Sequence, residues 1–213
     1  MGFTSRAFRH PVHGVQAPAL PRGLPRRPVR SCLVLGLSLA LSAICVESRD
    51  AAVYYDQCLF RFSDRDFLSS YDNSADLVVA WNMNSVSGRN VNAFVSLLGG
   101  LVNTVAVVPS NATSRYDTAI ARFPPEATNV LALGQCTQDL TPVQCPWCLT
   151  GLIHQMPALF VDKGKARVGG RILGLRCKIR YESNQLFFLV TDETPQVDTN
   201  SSSTTTGGGG GKG

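Results

Sequence analysis

The chain has 213 residues, enough for one domain with a sizeable core and too few for a small domain joined to a protein kinase. Its formal net charge of +5 misleads, because Arg6, Arg9, Arg22, Arg26, Arg27 and Arg30 all lie in the first 46 residues, which contain no acid, and the other fourteen Lys and Arg face fifteen Asp and Glu. The near-neutral body gives no global signal for nucleic acid, although Lys163, Lys165, Arg167, Arg171, Arg176, Lys178 and Arg180 form a local basic cluster.

SCLVLGLSLALSAICV, residues 31–46, is an apolar run behind a basic, Pro-rich segment, the order of a secretory signal peptide. It is short for a bilayer span. Residues 1–48 are therefore expected to be a leader, with an uncleaved membrane anchor or a transit peptide as alternatives, and no membrane span is expected after cleavage. Removing the leader removes Cys32 and Cys45 and leaves Cys58, Cys136, Cys145, Cys148 and Cys177. An odd number implies one thiol that is unpaired or intermolecular.

The sequons Asn111-Ala-Thr113 and Asn200-Ser-Ser202 lie in polar stretches and are glycosylation candidates. They agree with an exported chain. Residues 194–213 read as a disordered Ser/Thr/Gly-rich linker, since that composition buries too little apolar area to offset its ordering entropy.

Along the body, Phe94, Leu97, Leu98, Leu101, Val102 and Val105 recur at helical spacing and predict a helix from about Val91 to Val107. A second helix is predicted from Thr141 as N-cap, with Pro142 at its first position, Gln144 completing a capping box and Pro157 ending it. Its apolar stripe carries Cys145, Cys148, Leu149, Leu152, Ile153 and Met156, so both cysteines are expected to face the core. From Ala166 the period changes to two. ARVGG, RILGLRCKIRYE and QLFFLVTD read as strands, with Cys177, Ile179 and Tyr181 inward and Arg176, Lys178, Arg180 and Glu182 outward. The expected class is α+β: two helices packed on an antiparallel sheet of about five strands, stapled by disulfides. Cys58-Leu-Phe-Arg61-Phe62-Ser63 also matches Cys177-Lys-Ile-Arg180-Tyr181-Glu182, a fragmentary internal repeat.

CPWC, Cys145 to Cys148, admits three readings. A redox centre needs an accessible thiol of lowered pKa at a helix start, usually after a buried strand, and the polar QCTQDLTPVQ precedes this one. A zinc site could use Cys136, Cys145, Cys148 and Cys177, but two close pairs are the usual pattern, and an exported chain favours oxidation. The third reading is structural: cysteines three apart point from successive helical turns, so each reaches a distant partner more easily than its neighbour. Cys136–Cys145 and Cys148–Cys177 is then the simplest pairing, worth roughly 2.7 and 3.6 kcal/mol by loop entropy. Trp147 is expected to pack against strands. His10, His13 and His154 form no catalytic constellation, His154 is expected at the surface, and no cofactor, metal or enzymatic activity is expected.

The C-x8-C-x2-C pattern CTQDLTPVQCPWC followed by GGRILGLRCKIRYE resembles the ginkbilobin-homologous, or salt-stress/antifungal, domain of plants, found in tandem in the ectodomains of cysteine-rich receptor-like kinases and in cysteine-rich repeat secretory proteins. The resemblance covers about Val53 to Thr191. It implies that residues 49–68 are the last strand of a first domain, that 69–193 are a complete second one, and that the chain stops at a juxtamembrane-type linker. It also implies a third disulfide whose two positions are here Trp81 and Phe160, and a Cys58 without its partner. Secreted antifungal members bind mannose, and matched by position their ligand residues fall on Asn82, Arg171 and Glu182. An amide, a guanidinium fork and a carboxylate suit vicinal sugar hydroxyls. The alternative is that Arg171 and Glu182 form a cross-strand ion pair on a solvated face. The resemblance thus implies a secreted, apoplastic, non-catalytic binding module in defence or stress signalling, with mannose-containing glycans or other receptor-like kinase ectodomains as partners. A truncated ectodomain acting by protein pairing is the alternative, and a thiol oxidoreductase the least favoured reading.

Overall fold

The computed structural model describes Ser31, residues 34–36, Ser38, 50–55, 59–64, 77–107, 115–188, 190, 192 and 194–197. Cys58, Asn111, Asn200, most of the leader with its signal peptide, and the end of the linker lie outside the described residues.

An antiparallel hairpin comes first, β1 (Asp50–Tyr54) with β2 (Leu59–Ser63). Residues 49–68, expected as a single strand, thus hold both arms of a hairpin, with Arg61 bonded to Asp50 across it at 3.0 Å. The main sheet follows, built from β3 (Val78–Trp81), β5 (Tyr116–Phe123), β6 (Thr128–Cys136), β9 (Gly169–Leu173), β10 (Cys177–Ser183) and β11 (Gln196–Val197). Its order is β11-β5-β6-β10-β9-β3. Five strands are antiparallel; the sixth, β11, adds parallel to β5 at one edge, so the expected linker starts later than residue 194. A small sheet of β4 (Ser85–Ser87), β8 (Lys165–Arg167) and β7 (Val161–Asp162) closes one end.

Helix α1, Val91–Val107, has the predicted bounds and buries the predicted stripe. It is apolar enough to cross a membrane by length and composition, but that apolarity faces the sheet. Contact is close because β6 offers Gly134 beneath the helix: a Cβ there would stand 2.8 Å from the Val105 carbonyl oxygen. Helix α2, Gln144–Ile153, starts through the expected capping box, with Gln144 N–H donating to Thr141 Oγ1 at 3.2 Å and Thr141 N–H to Gln144 Oε1 at 2.9 Å. Pro157 does not end it. The helix stops at Ile153, and Pro157 opens a further turn, α3 (Met156–Phe160), a position where its missing N–H costs nothing.

Other expectations are corrected by who covers what. Trp147 is 81% exposed instead of packed on strands, because Cys145 and Leu149 occupy the buried face of α2. Arg176 lies in the turn between β9 and β10, buried and ion-paired with Asp139, instead of facing out. ARVGG is split, both glycines belonging to β9. The described residues of QLFFLVTD form no strand: both edges of β10 are already taken by β6 and β9, and after Asn184, at φ 57°, Phe187 and Phe188 lie on the sheet's second face. There Phe188 is buried with Ile120 and Leu131.

Candidate functional site

The sheet has a helix-covered face, holding Ile172, Cys177, Ile179 and Tyr181, and an opposite face partly crossed by Phe187 and Phe188. Alternation assigns the candidate residues to this second face. Ala80 of β3 pairs with Arg171 of β9, and Arg171 pairs with Arg180 of β10. One step further along the strands, Gly169 pairs with Glu182, and the backbone N–H of Asn82 donates to Gly169 O at 2.9 Å, continuing the ladder past Trp81. Register therefore puts Asn82, Arg171 and Glu182 on one face of three neighbouring strands, around Gly169 and Arg171.

The expected direct cross-strand pair of Arg171 with Glu182 is corrected by this register. Arg171 stands opposite Arg180, and the ion pair recorded for Glu182 is with Arg180, at 3.7 Å between Nη2 and Oε1. Arg180, expected only as an outward-facing member of the basic cluster, joins the candidate site. The available signal was its i, i+2 relation to Glu182 on an alternating strand. Its guanidinium carbon also sits 4.3 Å from the centre of the Phe187 ring, a cation–π contact that holds the C-terminal crossing segment against the site.

Glu182 is mostly buried, and its Oε2 is enclosed without a hydrogen-bond partner in the structure. The carboxylate reaches this position because residue 169 has no side chain: a Cβ there would overlap it. Asn82 is partly committed, since its Oδ1 accepts the Asn84 N–H at 3.0 Å and shapes the loop leaving β3. Its side-chain amide N–H groups are donors of the type that a sugar oxygen accepts.

The four body cysteines among the described residues are joined as two bridges, Cys136–Cys145 and Cys148–Cys177. CPWC is consequently no internal dithiol pair, and its thiols are not available as a zinc set. Cys136 and Cys177 are register partners on β6 and β10, so both bridges fasten α2 to adjacent strands of one ladder. At the two positions where the resemblance implies a third bridge, Trp81 and Phe160 both approach Gly170. Trp81 is its register partner, and the Phe160 ring packs over it in an edge-to-face contact with Tyr181, 5.6 Å between centres. Tyr181 OH donates to Arg167 O at 3.0 Å, and burial pushes its pKa well above the usual phenol range.

A disulfide-stapled α+β domain with α1 and α2 on one side of a mostly antiparallel sheet defines the class. Known proteins narrow it. No family model matches the chain. A putative cysteine-rich receptor-like protein kinase 9 of Arabidopsis thaliana is 29% identical over 167 residues, 78% of this chain and 60% of the relative. Cysteine-rich receptor-like protein kinase 10 of Oryza sativa subsp. japonica is 30% identical over 177 residues, 81% of this chain and 27% of the relative. Among solved structures, the tandem DUF26 ectodomain of the Arabidopsis thaliana cysteine-rich receptor-like protein PDLP8 superposes with a TM-score of 0.60 at 20% identity, covering 77% of this chain and 69% of that one. The PDLP5 ectodomain from the same plant gives 0.56 at 19%, covering 80% and 72%. This chain is a homologue of the cysteine-rich receptor-like kinases and carries the ginkbilobin-homologous, or DUF26, fold. It spans 60% of one of these two curated relatives and 27% of the other.

Proposed function

We propose that this chain is an extracellular, non-catalytic binding module that takes mannose-type glycans through Asn82, Arg171 and Glu182. The observation that carries the reading is the register that sets Asn82, Arg171, Arg180 and Glu182 together on one face of three neighbouring strands. A sugar hydroxyl is a donor of the right kind for a carboxylate, and a guanidinium supplies donors for the neighbouring hydroxyl. Extracellular placement is supported by homology to receptor ectodomains and by two disulfides, which persist in oxidising compartments.

Calorimetric titration of the full chain with mannotriose tests this. Binding that Glu182→Gln abolishes supports the assignment. Silence from the unsubstituted chain, or equal binding by the variant, ends it.

A second reading, pairing with intact receptor-like ectodomains, draws on Trp147 and Val143. They lie one turn apart at the start of α2 and are 81% and 70% exposed. Apolar area presented that way is a common anchor at interfaces. Association with a tandem ectodomain that is lost on Trp147→Ser, with mannotriose ineffective as a competitor, would favour it.

A further inference from the structure

A separate polar cleft lies beyond Asn82, over one face of the small sheet β4-β8-β7. The β7–β8 hairpin turns through Lys163 and Gly164, both at positive φ (47° and 69°), the geometry of a two-residue type I′ connection. It carries Lys163 and Lys165 to one wall of a cleft of about 470 Å³, a size typical of ligand sites. Asn84, Ser85 and Ser87 line it from the β4 side, where Ser85 and Ser87 are the register partners of Arg167 and Lys165. Arg167 links the two sides, its Nη1 donating to Met83 O at 3.0 Å and approaching Ser85 Oγ at 3.5 Å.

Two further features give the cleft a chemical character. Its charge is positive: three cations face one acid, Asp162, and neither lysine is ion-paired to a carboxylate among the described residues. An exposed indole adjoins it through Arg167. Trp81 keeps 47% of its surface in solvent, and the Arg167 guanidinium carbon lies 5.9 Å from its ring centre. Hydroxyls and an amide suit sugar hydroxyls, a flat indole suits the apolar face of a pyranose, and unpaired ammonium groups suit carboxylates.

We propose that this cleft binds an anionic, uronate-containing oligosaccharide, with a sugar face against Trp81, carboxylates at Lys163 and Lys165, and hydroxyls at Ser85, Ser87 and Asn84. The site shares none of the residues assigned to mannose-type binding, so the two readings stand or fall separately. An acidic peptide would satisfy the lysines but would leave the indole face and the serine wall without a matching group.

The test is titration of the full chain with trigalacturonate, mannotriose and triglutamate. The expected result is trigalacturonate binding that weakens as salt is raised and drops at least about tenfold in the Lys163→Gln/Lys165→Gln double variant. Both lysines are exposed, so the variant should keep the parent melting temperature and the parent response to mannotriose. No binding of trigalacturonate, or equal binding by the double variant, overturns the proposal. Triglutamate binding as tightly as trigalacturonate also overturns it, in favour of a patch that reads acidic peptide charge alone.

Discussion

The carboxylate of Glu182 lies against the backbone of Gly169, its cross-strand partner, in space that any side chain at residue 169 would occupy. The same relationship explains a glycine inside a strand, where its lost entropy and missing side chain are otherwise a cost. It also separates the site from the stability of the fold. In Gly169→Ala the obstructing atoms are the far end of a flexible side chain, so the carboxylate swings away and the sheet stays intact. The expected outcome is a melting temperature close to the parent and mannotriose binding weakened at least about tenfold. Parent-like affinity in this variant would count against Glu182 as the sugar acceptor.

The neighbouring glycine behaves in the opposite way. A Cβ at Gly170 would stand 2.8 Å from the Phe160 ring and 2.9 Å from the Tyr181 ring, and both rings are buried and packed edge to face. Neither can move far without disturbing the core, so Gly170→Ala should destabilise by about 1–3 kcal/mol, the usual range for overpacking. Urea unfolding of the two alanine variants side by side measures the contrast.

The two bridges should differ in what they contribute. Cys148–Cys177 closes a separation of 29 residues and Cys136–Cys145 one of 9, and the entropy removed from the unfolded chain grows with loop length. Replacing Cys148 and Cys177 together by alanine should cost about 2–5 kcal/mol, more than the same change at Cys136 and Cys145. Denaturant midpoints of the two double variants give the order.

Asp117 supplies a pH dependence. Burial raises its pKa, opposed by the Thr118 N–H that donates to Oδ1 at 2.8 Å, and its Oδ2 is enclosed without a partner. The folded chain therefore holds this proton more tightly than the unfolded chain. This group favours folding below the ordinary carboxylate pKa, and the benefit is lost as pH rises through the raised value. Asp117→Asn keeps an oxygen for Thr118 and removes the charge. It should be more stable than the parent at neutral pH, with the difference shrinking as the pH falls. Melting temperatures of both proteins across the acid range check the sign.

Much of this fold was legible because its signals are local. The stripe from Phe94 to Val105 reports a helix buried on one side, and Thr141 with Gln144 closes a capping box whose partners are three residues apart. Alternation in Cys177, Ile179 and Tyr181 reports one buried sheet face. Helical geometry argued against a Cys145–Cys148 bridge, since thiols on successive turns diverge, and the simplest remaining pairing is the one the structure has. The resemblance to the ginkbilobin-homologous domain supplied Asn82, Arg171 and Glu182, but only the turn that divides RILGLRCKIRYE into β9 and β10 puts Arg171 and Glu182 on a common face.

What tertiary structure alone decided is which of those surfaces found a cover. Trp147 is as apolar as any core residue, yet it is exposed because the buried face of α2 was already filled. Arg176 has the charge of a surface residue, yet the β9–β10 turn buries it beside Asp139. The run QLFFLVTD has the composition of a strand, but it had no free edge of β10 to join, and Phe187, Phe188 and Val190 packed against the sheet instead. The register that sets Arg171 opposite Arg180, and leaves Gly169 beneath Glu182, likewise depends on strand order. Sequence periodicity determines which face of an element is apolar, because that is a property of consecutive residues. Which neighbour covers that face is settled only when distant segments compete for the same edges and the same core.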